Sequence, residues 1–366
     1  MKRIFALLLS LCLLLCACGS QPEQTQPATD APTEAPTEAP TEAPTEAPTE
    51  APTEPPVVRH PLTGEVLDSV YTGRPAALVI NNISAAMPQS GISGADMLYE
   101  LETEYGITRC LAIFTDFDGI NAIGPIRSAR TGFNNIATSY DAPLFHCGGS
   151  PMAKAAQYDK TGAKLKNWVH VDQMSNTQYF YRDTARYNSG YAWEHTLYTT
   201  AEDVLQCFQD KELNTVNAEG TDYGLSFSED PALNGDAANK VIMSFRAGKE
   251  TIFTYNTETG LYDADQYGKD WLDNGNGQTL AFRNVLALYV PQEMISDGRD
   301  TRSFYDLVGS GNGYLACDGW IVKITWHRED LYGPFSYTLE DGTPLTLGVG
   351  QTYVGIASDR CDIAYS

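Results

Sequence analysis

The sequence predicts an α+β protein, with an α/β N-terminal domain on a mixed sheet followed by a mainly antiparallel β C-terminal domain. Three observations lead there. Ala76-Ala77-Leu78-Val79-Ile80 is a continuous apolar run of the kind found in strands buried on both faces. Up to about residue 213, such runs alternate with apolar residues at helical spacing behind capping residues. From residue 236 onward the pattern changes to short strands punctuated by Gly, Asn and Asp.

Residues 1–17 are read first as an address. Met1-Lys2-Arg3 is basic, and Ile4 to Leu15 is apolar but too short to span a bilayer as an ordinary helix, which predicts a secretory signal. Leu15-Cys16-Ala17-Cys18 matches the pattern that precedes lipidation of a cysteine in bacterial lipoproteins, so Cys18 is the predicted acyl attachment point. Several acyl chains at ~0.8 kcal/mol per buried CH₂ would hold the chain durably on the outer face of a membrane. Residues 18–58 follow as a linker. Within it Ala-Pro-Thr-Glu repeats six times from Ala31 to Glu54. A proline in every fourth position blocks helix and sheet, the glutamates repel, and nothing in the unit buries surface. Residues 19–58 read as an extended stalk of up to ~120 Å at about 3.1 Å per residue.

Residues 59–215 form the expected α/β domain. Strands are predicted at 76–80, 95–103, 107–115 and 143–146, the second and third joined by a turn at Tyr105-Gly106. A helix is predicted to open at Gly124-Pro125, because proline suits a first turn and Ile126, Ala129, Phe133, Ile136 and Ala137 share one face. That places Arg127 and Arg130 at the positive end of a helix dipole, where a cation costs a few tenths of a kcal/mol to about one. An anion should offset them, either a ligand or a carboxylate elsewhere in the fold. The strand at 143–146 leads through Cys147-Gly148-Gly149 to a helix start at Ser150-Pro151. Thr200 and Asp203 suggest a capping box for a helix reaching about Leu213. Residues 216–235 read as a linker and 236–366 as the β-rich domain, with strands near 241–245, 251–255, 284–290, 303–308, 320–326, 344–347 and 353–357.

Composition narrows the function classes. The chain has 366 residues and a net charge of −23, and residues 59–366 hold 22 basic against 39 acidic side chains. Such a body is unsuited to nucleic acid or to adhesion on anionic lipid. Cys110, Cys147, Cys207, Cys317 and Cys361 lack metal-ligand spacing. The loosely calcium-like Asp263, Asp265 and Gly268 have Asn274 where the loop needs glutamate. No metal or cofactor is expected.

Three readings remain. In the first, a binding module holds an anionic envelope component, a cell-wall polyanion or peptidoglycan fragment, through Arg127 and Arg130 with Arg109, Arg182 and Arg186, and with amides of Gly148, Gly149 and Ser150. In the second, an enzyme acts on a phosphorylated or carboxylated polymer, with His146 or His195 as general acid/base and the same amides stabilising charge. This reading needs a histidine beside the arginines. In the third, the chain is a non-catalytic scaffold for a protein partner.

Several motifs are shared with a known family. Arg74-Pro75, Ile80-Asn81-Asn82, Pro88-Gln89-Ser90-Gly91, Ala95-Asp96, Ile107-Thr108-Arg109, Gly124 to Arg130, His146 to Pro151, Tyr181-Arg182-Asp183 and His195 to Thr199 resemble the YerB-like lipoproteins. So do Asn284-Val285, Asp297-Gly298-Arg299, Gly309-Ser310-Gly311 and Gly350-Gln351-Thr352. Trp193-Glu194-His195 departs from the Ala-Pro-His that the family pattern implies. The resemblance implies two joined domains of unknown function on a Gram-positive surface lipoprotein, and no established activity.

Overall fold

β1 (Ala76–Asn81) is buried along its whole length because it feeds two cores at once. Ala76, Leu78 and Ile80 point into one apolar cluster, while Ala77 and Val79 point into another. β2 (Met97–Glu104) and β3 (Ile107–Phe114) repeat this alternation, with Leu98 and Ala112 on one side and Tyr99, Leu111 and Ile113 on the other. A two-faced strand needs cover on both sides, which explains the unbroken apolar runs.

The structure, a computed structural model, describes residues 57–158, 169–217, 221–296, 298 and 300–366. The signal, Cys18, the Ala-Pro-Thr-Glu repeat, Asp297 and Arg299 lie outside the described residues. α1 (Thr131–Ser139) buries Phe133, Ile136 and Ala137 against one face of the sheet. Full burial of side chains such as Phe133 and Ile136 contributes ~1.5–3 kcal/mol each. β4 (Leu144–His146) and β5 (His170–Asp172) extend the sheet in parallel beyond β1. Between them lies α2 (Pro151–Tyr158), whose first turn is capped by Ser150 Oγ accepting from the Ala153 amide at 3.2 Å. Helix Ala201–Asp210 covers the opposite face with Val204, Cys207 and Phe208, and Thr200 caps it through the Asp203 amide at 2.9 Å.

The C-terminal strands join the same sheet. Its order is Ser336–Leu339, Trp320–Arg328, Gly309–Cys317, Asn284–Tyr289, Thr352–Ala357, β2, β3, β1, β4, β5. Thr352–Ala357 lies parallel to both Asn284–Tyr289 and β2, so the sheet is mixed, and the two sequence halves are hydrogen-bonded to each other at its centre. Pro56–Ser366 accordingly forms one compact unit. A second, antiparallel sheet contains Lys240–Ser244, Glu250–Asn256, Leu261–Gln266 and Asp362–Tyr365. Its Val241, Met243, Phe253 and Tyr262 share a core with Ala76, Leu78 and Leu98 of the large sheet. The stretch 216–235 contributes Phe227–Ser228, paired in parallel with Leu347–Gly348.

Candidate functional site

The segment Gly124 to Arg130 is extended rather than helical. Gly124 bridges Ser90, Ile126 bridges Ile80 and Ala129 bridges Gly149, and the helix begins only at Thr131 with Arg130 as its N-cap at φ −131°, ψ 163°. The apolar spacing that suggested a helix is met differently: Ile126 is buried in one core and Ala129 in the other. Backbone partners on both sides satisfy the segment, the Arg127 amide donating to Val79 O at 2.8 Å and the Cys147 amide to Arg127 O at 3.0 Å. Arg127 therefore does not lie in a helix dipole.

The arginines nevertheless converge. The strand pair β2–β3 has a register shift between Glu102 and Glu104. A bulge re-aims side chains, and here it turns Glu104 to the face of Arg109, opposite the face used by Glu100 and Glu102. Arg130 binds the Glu104 carboxylate through both Nε, at 3.0 Å, and Nη2. Arg109 Nη2 lies 3.6 Å from its other oxygen, and Arg302 Nη1 adds a third contact. Burial works to raise the Glu104 pKa, but the Arg109 and Arg130 guanidiniums outweigh it and hold it at about 2. The crowding also acts on the cations. Burial and the neighbouring Arg130 push Arg109 well below the usual arginine value. Arg109 is 6% exposed, its Nη1 donates to Ser128 O at 2.8 Å, and its Nε is buried with no hydrogen-bond partner. Arg127 stands at the edge of this cluster, paired with the exposed Glu194 at 2.9 Å.

Glu194 also links the cluster to a histidine. Its Oε1 is 3.6 Å from His195 Nε2, and His195 Nδ1 is 3.0 Å from the side-chain Nδ2 of Asn81. Burial lowers the pKa of His195. His146 lies in a different setting, fully buried, with Nδ1 2.7 Å from Gly148 O and Nε2 3.3 Å from both Gln157 Nε2 and His170 Nδ1. Burial lowers its pKa too, and drops His170 to about 4. The Gly148 amide donates to Asp172 at 2.7 Å and the Ser150 amide to Ala129 O at 3.2 Å. Gly149 connects them beside Ala129. Two of the three amides predicted to face a ligand are thus engaged within the fold.

Arg182 and Arg186 take backbone and ring partners. Arg182 Nη1 donates to Trp193 O at 2.6 Å and its guanidinium lies 4.8 Å from the Trp193 ring centre. Arg186 donates to Pro88 O at 3.0 Å and Ala86 O at 2.5 Å, with the Tyr191 ring 3.9 Å away. Arg182 thus clamps the turn at Trp193, and Arg186 the separate loop that carries Ala86 and Pro88.

Family models match this chain in two consecutive blocks. Residues 62–214 match the N-terminal domain, and residues 241–354 the C-terminal domain, of the protein of unknown function DUF3048. The chain belongs to this YerB-like DUF3048 family. It is similar to the Bacillus subtilis (strain 168) protein named "Putative lipoprotein YerB", at 26% identity over 306 residues, covering 82% of this chain and 87% of the relative. The crystal structure of the YerB protein from Bacillus subtilis shares the fold, with a TM-score of 0.71 and 24% identity over 84% of this chain and 99% of that one. In DUF3048 terms, Arg109, Arg127, Arg130, His146, Arg182, Arg186 and His195 all lie in the N-terminal domain. The C-terminal domain supplies Arg302 to Glu104, and Lys249, Thr251, Gln266 and Tyr353 to Glu100.

Sequence reasoning missed these acidic partners. The signal was present in Tyr99-Glu100-Leu101-Glu102-Thr103-Glu104, where carboxylates interrupt an otherwise apolar strand. Glu100 is 0% exposed and Glu102 1%. Buried charges demand partners, and a search for cations to match them would have reached Lys249 and Arg246, the latter with Nη1 3.6 Å from Glu102 Oε1.

Proposed function

We propose that this DUF3048 protein is a lipid-anchored extracytoplasmic component of the bacterial cell envelope whose folded unit binds an anionic envelope ligand at the Arg109–Arg127–Arg130 cluster. The anchor reading rests on the apolar leader, on Ala17-Cys18 and on the word lipoprotein in the name of the Bacillus subtilis relative. The binding reading rests chiefly on one observation: Arg109 and Arg130, both buried, share the single carboxylate of Glu104, and Arg109 keeps a buried Nε without a partner. Arg302 also reaches Glu104 but has Asp300 as a second partner at 2.8 Å, so Arg109 and Arg130 are left to one carboxylate and hold positive charge in a poorly hydrated place, where a phosphate or carboxylate group is attracted strongly. Arg127, at the edge, would exchange Glu194 for the ligand. Binding without chemistry is favoured because His146 and the Gly148 amide are spent inside the fold, and because His195, the histidine nearest the cluster, faces Glu194 and the Asn81 side chain rather than an arginine.

The test is a thermal-shift titration of residues 56–366 with phosphate, pyrophosphate, teichoic-acid and muropeptide fragments, against chloride at matched ionic strength. A ligand of the native state at a hundredfold excess over Kd stabilises by about 2.7 kcal/mol. We expect a saturable rise for at least one of these anions, reduced in Arg127→Ala. A melting temperature that follows ionic strength alone rejects the site. The anchor is tested separately by Cys18→Ser, which should release the protein from the membrane fraction.

A further inference from the structure

A closely enclosed cluster of reactive groups lies away from the arginines, at the junction of the two family domains. Asn82, Glu100 and Lys249 are 0%, 0% and 4% exposed. Glu100 Oε1 receives the Lys249 amine at 2.8 Å, the Asn82 side-chain amide nitrogen at 2.8 Å and the Thr108 hydroxyl at 2.6 Å. Its Oε2 receives Thr251 at 2.7 Å, Tyr353 at 2.8 Å and Gln266 at 3.2 Å. An amine and a carboxamide thus flank the same carboxylate oxygen, with the Phe245 and Tyr267 ring centres 5.4 Å and 5.3 Å from the amine.

Both side-chain amides are oriented by their partners. The Trp271 indole can only donate, and it donates to Gln89 Oε1 at 2.6 Å, so Gln89 Nε2 must be the group that faces Asn82 Oδ1, at 2.9 Å. The Asn82 nitrogen therefore faces Glu100 while its carbonyl oxygen is held by a donor.

We propose that Lys249 and Asn82 form an intramolecular isopeptide bond, with Glu100 as the proton carrier. Lys249 first passes a proton to Glu100 across their contact, converting the ion pair to a neutral pair with no change in net charge. The Lys249 nitrogen then attacks Asn82 Cγ, and the charge that develops on Oδ1 is met by Gln89 Nε2–H. Glu100 gives its proton to Asn82 Nδ2 and takes one from the Lys249 nitrogen. The Cγ–Nδ2 bond breaks and ammonia leaves. One amine and one primary amide become one secondary amide and ammonia, Glu100 keeps the proton it held in the neutral pair, and nothing is oxidised or reduced. A desolvated lysine is a competent nucleophile, and fixed proximity replaces a bimolecular encounter. The five described cysteines are all free. Extracytoplasmic chains commonly brace themselves with cross-links, and an amide joining residue 82 to residue 249 would constrain the unfolded chain as a long-range disulfide does. The inference is independent of the arginine site.

The experiment is tryptic peptide mapping of the purified full-length chain. In the uncross-linked protein, residues 60–109 form one peptide, because Arg74 precedes proline, and cleavage after Lys249 separates 247–249 from 250–269. The bond predicts instead a branched species of 60–109 joined to 247–269, lighter than the sum by one ammonia and uncut after Lys249. Recovery of the separate linear peptides from the wild-type chain overturns the proposal. In Glu100→Ala and Asn82→Ala the linear peptides should return. A branched species that persists in Glu100→Ala overturns it as well.

Discussion

Glu100 and Glu104 stand four residues apart on one strand and live in opposite circumstances. Glu100 is sealed, faces one cation and accepts from five uncharged donors besides. Glu104 keeps a 19% exposed side chain and faces three guanidiniums with the Thr103 hydroxyl as a short-range partner. In the first, donors are in excess around a balanced pair; in the second, cationic charge is in excess around a carboxylate. The shift between Glu102 and Glu104 that sends them to different faces separates a closed structural network from an open, charge-unbalanced one. One strand can therefore hold two carboxylates in different electrostatic settings if a single bulge divides it.

The largest expected effect comes from breaking the closed side. Glu100→Ala leaves Lys249 and several buried donors without their acceptor and should cost about 3–5 kcal/mol, read by chemical denaturation. A loss under ~1 kcal/mol would mean that water reaches the cluster. Glu104→Gln should cost less near neutral pH, ~1–3 kcal/mol, because the cluster is partly solvated. Its pH dependence sharpens the contrast. The folded pKa of Glu104 is held at about 2, below its ordinary 4.5, so its contribution is complete above the ordinary value and disappears as pH falls towards 2. The wild type and Glu104→Gln should therefore converge in stability across that window, and parallel curves would deny that the arginines hold the proton off. His170 gives a second window. Burial and then the neighbouring His146 depress it from 6.5 to about 4, so stability should decline as pH falls from 6.5 through 4, and His170→Asn should flatten that decline. The smallest effect belongs to Arg127→Ala, whose pair with an exposed Glu194 should contribute ~0.2–1 kcal/mol to stability. A larger loss would place Arg127 with the structural arginines.

Local elements were legible in the sequence because local physics sets them. The apolar run at 76–80, the Ser150-Pro151 helix start and the Thr200 cap are all found where composition placed them. The stretch opening at Gly124-Pro125 was misread because Ile126 and Ala129 are buried by β-bridges to separate elements, and the apolar spacing matches a helix only by coincidence. The strand expected at 344–347 is reduced to Leu347–Gly348, while Ser336–Leu339, with Tyr337 as its one buried residue, gives little apolar signal. Convergence of Arg109 and Arg130 depends on Glu104, which no spacing rule connects to them. Pairing of β2 with Thr352–Ala357 joins residues at opposite ends of the folded chain, beyond the reach of any local pattern.

That last pairing fixes an order of events. Thr352–Ala357 lies between β2 and Asn284–Tyr289, yet it follows both of them in the chain. Until it arrives, the polar groups along one edge of β2 lack their partners, and that edge is open to adventitious strand pairing. The N-terminal half therefore carries an unpaired strand edge until the later strand docks. A chain truncated before residue 352 should leave the edge of β2 open and be aggregation-prone.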